Sequence, residues 1–289
     1  MRAAIEDCAD EFRPLAAREF EQFRKLAYDT AGIDLQPGKE QLVSARLSKK
    51  MRELKIKSYR EYYDFVTADK SGEALISLID ALTTNHTSFF RESAHFEFLR
   101  KEILPDLNRR DRISIWCAAS STGEEPYSIA FSVLEELGYA ALPKLNLLAT
   151  DISTRVLSIA RKGMYLHDRF RDLPPQQLRQ YLLRGEGKWA EWYQVRKEIR
   201  AAIQFERLNL MQEFNHAAAF PVIFCRNVMI YFDRPTQERV VRQLTQFLEP
   251  GGYLLIGHAE SLNGIKNSLQ YVRPATYRKP GPGVPSSRK

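Results

Sequence analysis

From the N-terminus to Leu82, apolar positions recur at helical spacing. Phe20, Phe23, Leu26 and Ala27 share a face, and Gly32 after Ala31 reads as a C-terminal stop. Pro37-Gly38 breaks the chain before a second helix, Glu40 to Leu54, with Val43, Leu47, Met51 and Leu54 as its apolar face. Ser58-Tyr59 opens a third helix carrying Tyr62, Tyr63, Phe65 and Val66, and Glu73 to Leu82 is a fourth. Residues 1–82 are therefore predicted to form a helical bundle.

Beyond Leu82 the period changes. Polar residues crowd Thr83 to Ser88, then Phe89-Phe90 and Arg91-Glu92 follow, so residues 83–95 read as a linker able to pass over a binding site. His95 to Leu104 is a further helix, expected to end at Pro105. Short apolar runs without alternation then mark strands buried on both faces: Ile113–Ala118, Leu145–Thr150, Ile203–Leu208, Pro221–Cys225 and Tyr253–Ile256, with Tyr271–Arg278 as an edge strand. Helices separate them, one opening at Glu124, one over Ser153–Arg161, and one from Pro235 to Leu248 with Pro250-Gly251-Gly252 as stop and turn. This alternation predicts an α/β fold with a Rossmann-like, doubly wound sheet over residues 96–280. Between Gly163 and Ala202 the pattern loosens. Gln176–Leu183 reads as helix, Lys188–Val195 and Ile199–Phe205 as short antiparallel strands, so residues 163–204 are predicted to be an inserted β-subdomain. The Pro/Gly/Ser-rich stretch 281–289 is expected to be disordered.

Composition narrows the class. In 289 residues, 44% are hydrophobic and 27% charged, the balance of a globular protein with ample core. The first residues, MRAAIEDCADEF, lack the apolar stretch of a secretory signal, and no apolar run approaches the roughly 20 residues of a membrane span. Cys8, Cys117 and Cys225 are odd in number and far apart, which argues against a disulfide framework; Cys117 and Cys225 read as core thiols. A cytoplasmic location without membrane insertion is expected. The net charge of +7 permits an anionic partner without identifying one. Arg46, Lys49, Lys50 and Lys57 lie opposite the apolar face of the second helix, either as solvated surface or as a docking face for an acidic partner.

Candidate chemistry centres on Ile113 to Phe131. A strand leads into Ala119-Ser120-Ser121-Thr122-Gly123, small enough for a ligand to approach the backbone, and then into a helix whose first amides face that ligand. Glu124 and Glu125 suit the helix dipole. They are badly placed for a phosphate and well placed for a ligand with cationic and hydroxyl groups, such as S-adenosylmethionine. Asp151, ending the second strand, is placed to bind ribose hydroxyls and also to cap the helix after it, two roles that are compatible. His86, His95, His167, His216 and His258 show no metal-ligand spacing, so no metal site is predicted.

Taken together and in order, TTNHTSFFRE, AASSTGEEPYSIA, ATDIS, FCRNVMIYFD and the PGG-YLLIGHAESL stretch resemble the CheR family of chemotaxis receptor glutamate methyltransferases over about residues 15 to 278. The resemblance implies an N-terminal helical domain, a Rossmann-like S-adenosylmethionine domain and an inserted antiparallel β-subdomain. It implies methyl transfer to glutamate carboxylates on the cytoplasmic helices of chemoreceptors, with S-adenosylhomocysteine as the other product. It places Asn85, Thr87, Arg91, Glu125, Asp151, Asn209, Leu210, Arg226 and Asn227 at the cofactor, and puts Arg91 and Tyr231 nearest the reacting methyl and the substrate carboxylate. A monomer is expected. Two rivals stand beside it. A nucleic-acid methyltransferase is disfavoured, because Arg226-Asn227-Val228-Met229 replaces the Asn/Asp-Pro-Pro-aromatic motif of many base methylases, so no nucleic-acid partner is expected. A non-catalytic donor-binding scaffold is the other.

Overall fold

A computed structural model of the chain describes residues 13–84, 86–171, 173–214 and 218–281. Cys8, Asn85 and the tail from Pro282 onward lie outside the described residues. The chain divides into two compact units, Met1–Thr84 and Asn85–Lys289. Among the described residues no helix is long and apolar enough to cross a membrane.

The first unit contains α1 (Ala17–Ala31), α2 (Glu40–Leu54), α3 (Tyr59–Ala68) and α4 (Glu73–Leu82). Its core follows the predicted spacing: Phe20, Phe23 and Ala27 from α1, Val43, Leu47 and Met51 from α2, Tyr59, Tyr62 and Val66 from α3, Ile76 and Ile79 from α4. Each large apolar side chain buried here contributes about 1.5–3 kcal/mol. Gly32 ends α1 at φ 69°, donating its N–H to the Tyr28 carbonyl at 2.8 Å. One predicted core position is corrected: Leu54 closes the last turn of α2 and is 41% exposed.

The second unit begins, after the linker, with α5 (Ala94–Phe98), a π-helical turn Leu99–Ile103 and α6 (Leu104–Leu107). The expected stop at Pro105 is corrected: the helix passes through it. Proline has no N–H for the carbonyl one turn back, and the widened turn upstream absorbs that mismatch. There follow β1 (Ile113–Cys117), α7 (Glu124–Leu137), β2 (Leu145–Asp151), α8 (Thr154–Lys162), β3 (Met164–Leu166), α9 (Pro175–Tyr181), β4 (Leu182–Arg184), β5 (Trp192–Val195), α10 (Lys197–Ala201), β6 (Ile203–Arg207), β7 (Phe220–Phe224), α11 (Arg234–Gln246), β8 (Leu248–Leu255), β9 (Gln270–Arg273) and β10 (Thr276–Arg278).

The main sheet has the order β6-β2-β1-β7-β8-β10-β9. Strands β6, β2, β1, β7 and β8 are parallel, and β10 is antiparallel to both its neighbours. The chain reverses its winding between β1 and β7, and a crevice at such a point is where α/β sheets bind ligands. One face of the sheet packs Ile115, Cys117, Leu147 and Phe224 with Ile129 and Phe131 of α7; the other packs Trp116, Leu148 and Ile223 with Val240 and Leu244 of α11.

Three further expectations are corrected in this unit. Pro250-Gly251-Gly252 is no turn but part of β8, where the pairing with β7 shifts register. A Cβ on Gly252 would lie 2.8 Å from the Pro221 carbonyl, so the glycine serves the close approach of two strands. The single edge strand Tyr271–Arg278 is a hairpin turning at Ala275, φ 58°. Of the two strands predicted for the insertion, Lys188–Val195 contains β5, which lies between β3 and β4 in a three-stranded antiparallel sheet. Ile199–Phe205 is not a subdomain strand: Ile199 is helical and Ile203 onward is β6, parallel to β2. Apolar residues at 199, 203 and 205 fit a period of two as well as one of four, which is how a helix and a strand merged.

Candidate active site at the carboxyl ends of the parallel strands

The turn after β1 is held from two sides. Ser120 donates its N–H to the Thr150 carbonyl, and Ser121, at φ 46°, donates its N–H to Asp151 Oδ2, both at 2.9 Å. Gly123 sits at φ 102°, and a Cβ there would be 2.8 Å from both Ala160 Cβ and the Tyr165 hydroxyl. The turn is thus pinned under α8, and only glycine fits. Asp151 Oδ1 accepts the Ser153 N–H at 3.0 Å, while the α8 cap itself is the Ser153 side chain, which accepts from Val156. Asp151 braces the two turns, and the capping role passes to Ser153.

Glu124 and Glu125 are already partnered within the chain. Glu124 is 1% exposed and takes hydrogen bonds from the Thr122 hydroxyl and from Arg169, which also donates to the Thr87 carbonyl. Glu125 accepts from Arg226 and from the Cys117 thiol. Burial pushes the thiols of Cys117 and Cys225 well up, so both stay protonated in the core.

A second knot of charge lies at the ends of β7 and β8. The Arg226 side chain is fully buried, donates to Glu125, Glu92 and the Arg91 carbonyl, and stacks over the Phe96 ring. Burial opposes its charge, but Glu125 and Glu92 outweigh burial and raise its pKa. Burial would likewise raise the Glu92 carboxyl; the charge of Arg226 and hydrogen bonds from Asn227, Arg226 and the His258 N–H hold it below the usual range. Glu260 accepts the N–H groups of Gly257, Asn227 and Ile230, yet burial keeps its carboxyl above the usual range. Buried His95 is driven down to about 3, first by burial, then by Arg226 and His258, with Glu92 opposing. Glu92, His95 and His258 bring one ligand atom each within 4.8 Å of one another. Arg226 already sits 2.9 Å from Glu92 Oε2, so a divalent cation there would face a guanidinium.

Of the residues singled out in sequence, the structure brings Glu125, Arg226, Asn227 and the Arg91 backbone together, and ties Asp151 to the β1 turn. Thr87 is buried, and the Arg91 guanidinium donates to the His86 carbonyl at 2.9 Å. Asn209 turns its Oδ1 onto the Met211 N–H, and Leu210 packs into the core with Trp116 and Leu148. Tyr231 ends a 3-10 turn just past Asn227 and packs against that same cluster. Sequence reasoning missed Glu92, Arg169 and Glu260. Their partners lie far off along the chain, although Glu92 and Glu260 both fall inside quoted motifs.

Two family profiles cover almost all of this chain: the all-alpha domain of CheR methyltransferases over residues 18–83, and their S-adenosylmethionine binding domain over residues 85–278. A chemotaxis protein methyltransferase of Borreliella burgdorferi is 40% identical over 269 residues, spanning 90% of this chain and 94% of that protein. Its counterparts from Klebsiella aerogenes (40% identical; 91% of this chain, 89% of that one) and Escherichia coli (37%; 87% and 87%) align over similar spans. The chain belongs to the CheR methyltransferase family. It is an S-adenosylmethionine-dependent methyltransferase of that chemotaxis family, with an N-terminal all-helical region, a Rossmann-like sheet and a small antiparallel sheet.

The CheR site fits that donor on its own chemistry. The β1 turn offers no bulk. Ser120 is buried, and its hydroxyl has no hydrogen-bond partner among the described residues. Four non-glycine residues here, Phe90, Glu92, Ser121 and Asn227, have left-handed backbone with φ between 46° and 57°. Strain of this kind persists where the surroundings over-determine it.

Proposed function

We propose that this CheR protein methylates the side-chain carboxylates of glutamates on chemoreceptor cytoplasmic helices, forming methyl esters. One observation carries the choice of nucleophile. Among the described residues of the site, Glu92, Glu124 and Glu125 are held by guanidinium groups, Asp151 and Glu260 by backbone N–H groups, and His95 is too weak a base at about 3. An amine, protonated at neutral pH, would need a base to become a nucleophile. A glutamate carboxylate, with a pKa of about 4.3, does not.

The bound donor supplies an electrophilic methyl with a neutral thioether as leaving group. The protein's own task is alignment, which can be worth up to about 7–11 kcal/mol. The cofactor would be held by Asn85, Thr87, Arg91, Glu125, Asp151, Asn209, Leu210, Arg226 and Asn227. Asp151, whose two oxygens accept the Ser121 and Ser153 N–H groups, would hold the ribose beside the β1 turn. Arg91 would steer the carboxylate and Tyr231 would orient it. Arg91 must not grip the anion too tightly, because transfer neutralises it and ground-state binding would raise the barrier. The basic face of α2 is a narrower docking surface than its sequence suggests. Arg46 turns back onto the Leu82 carbonyl and the Thr84 hydroxyl, Lys50 pairs with Glu53 at 3.0 Å, and Lys57 lies beyond the end of α2 rather than on its face, which leaves Lys49 exposed on the helix and Lys57 exposed after it.

Incubation with methyl-labelled donor and receptor cytoplasmic fragments tests this reading in the cytoplasmic setting it supposes. The expected outcome is label released from the receptor by mild base. Label on nucleic acid, base-stable label, or none would overturn it.

A further inference from the structure

Glu92 has no role in the reading above, yet it joins three segments of the site. Its carboxylate accepts Arg226 Nη2 at 2.9 Å and the His258 N–H at 3.0 Å on Oε2, and Asn227 Nδ2 at 3.1 Å on Oε1. Those donors come from the ends of β7 and β8, while Glu92 itself belongs to the segment that carries Arg91. The guanidinium nitrogen it holds is also the one bonded to the Arg91 carbonyl. Glu92 keeps a left-handed φ of 57°, and Phe90, on the other side of Arg91, has φ 50°. Arg91 is thereby aimed by strained backbone on both flanks. Asn227 is equally constrained: its φ is 57°, its N–H goes to Glu260, and Gly257 packs so closely that a Cβ there would meet Asn227 Nδ2 at 2.3 Å. The turn Met229–Tyr231 follows directly.

We propose that Glu92 is a positioning residue for methyl transfer, locking the Arg91 segment to the Asn227–Tyr231 segment so that the groups steering the substrate carboxylate keep a fixed separation. This rests on the assignment of Arg91 and Tyr231 above. The carboxylate is held in place by three donors, two on Oε2 and one on Oε1. Glutamine in its place would present an amide N–H toward Arg226 or Asn227 and break the lock. Aspartate would keep the charge one methylene short.

The test uses the full chain with labelled donor and receptor fragment. It measures kcat and KM for Glu92→Gln, Glu92→Asp, Arg91→Ala and the double variant Glu92→Gln/Arg91→Ala, with S-adenosylhomocysteine affinity and thermal midpoint alongside. Misplacement of about 1 Å can cost about 100-fold, so kcat of Glu92→Gln is expected to fall about that far. Donor-product affinity should change less than about threefold, Glu92→Asp should recover part of the loss, and the double variant should be no slower than Arg91→Ala. Undiminished kcat in Glu92→Gln, a parallel loss of product affinity, or effects that multiply in the double variant would each overturn the positioning role. Full turnover in Arg91→Ala alone would sink the Arg91 assignment, and that variant is read separately.

Discussion

Ion pairs of the helical unit and those at the strand ends obey different physics. On α1, Lys25 and Asp29 meet at 2.6 Å, but their side chains are 76% and 55% exposed. Water and salt screen such a pair, and its worth is typically under about 1 kcal/mol. Arg226, with a fully buried side chain, meets Glu125 and Glu92 at 10% and 14% exposure. There desolvation is severe, and each partner is needed because of what its absence would strand. The backbone differs in the same way. The helical unit's left-handed non-glycine residue, Lys55, simply ends α2, whereas Phe90, Glu92, Ser121 and Asn227 cluster around the charged knot. One region uses charge to stay solvated, and the other uses it to fix geometry.

The sharpest way to break this contrast is Arg226→Met. It strands two carboxylates in the interior, so a loss of about 3–5 kcal/mol is expected, seen as a fall of roughly 10 °C in thermal midpoint together with lost turnover. A midpoint close to the parent's would remove the distinction between the regions. Next comes Asp151→Ala, which deletes the acceptor of the Ser121 and Ser153 N–H groups. Hydrogen bonds to a charged group are worth about 1.5–3 kcal/mol, so S-adenosylhomocysteine affinity by calorimetry should drop about 10- to 100-fold.

His95 gives a smaller effect that depends on pH. Its folded pKa of about 3 lies below the ordinary 6.5, so the unfolded chain takes up the proton first. The stability tied to neutral His95 is complete above about pH 6.5 and is lost as pH falls toward 3. The groups facing it are Arg226, His258, Arg273 and Glu92, whose carboxyl is held below the usual carboxylate range. His95→Gln should therefore flatten the fall in denaturant midpoint between pH 6.5 and 5; an unchanged slope would place the acid sensitivity elsewhere. The smallest effect belongs to Asp29→Ala on α1, within about 0.5 kcal/mol by urea unfolding. A larger loss there would show that exposed pairs matter more than the comparison allows.

Legibility in the sequence follows the same division. Helices α2 and α4 fall on their predicted bounds because their periodicity is local and uninterrupted, and β1, β2 and β7 stand out as unbroken apolar runs. The Ile199 helix and the run of β8 through Pro250-Gly251-Gly252 were misread because a short segment's period, or its glycines, cannot say which neighbour it will pair with. At the site, Asp151 was singled out from its place after a strand, and Arg226 and Asn227 only through the family resemblance. The ties of Glu92 to Arg226 and of Arg169 to Glu124 were not legible, because they join segments that meet only once the sheet is assembled. Glu124 and Glu125 show the limit most plainly: their residue type indicated a cationic neighbour, but not that Arg169 and Arg226 would be among the cations they meet.

A crystal structure of the protein with S-adenosylhomocysteine tests the central claim directly. The expected result is the ligand seated over Ser120–Gly123, its ribose on Asp151, with the Arg226 contacts to Glu92 and Glu125 intact. Density for the ligand away from the ends of β1 and β2, or an Arg226 that leaves its carboxylates to make room, would contradict it.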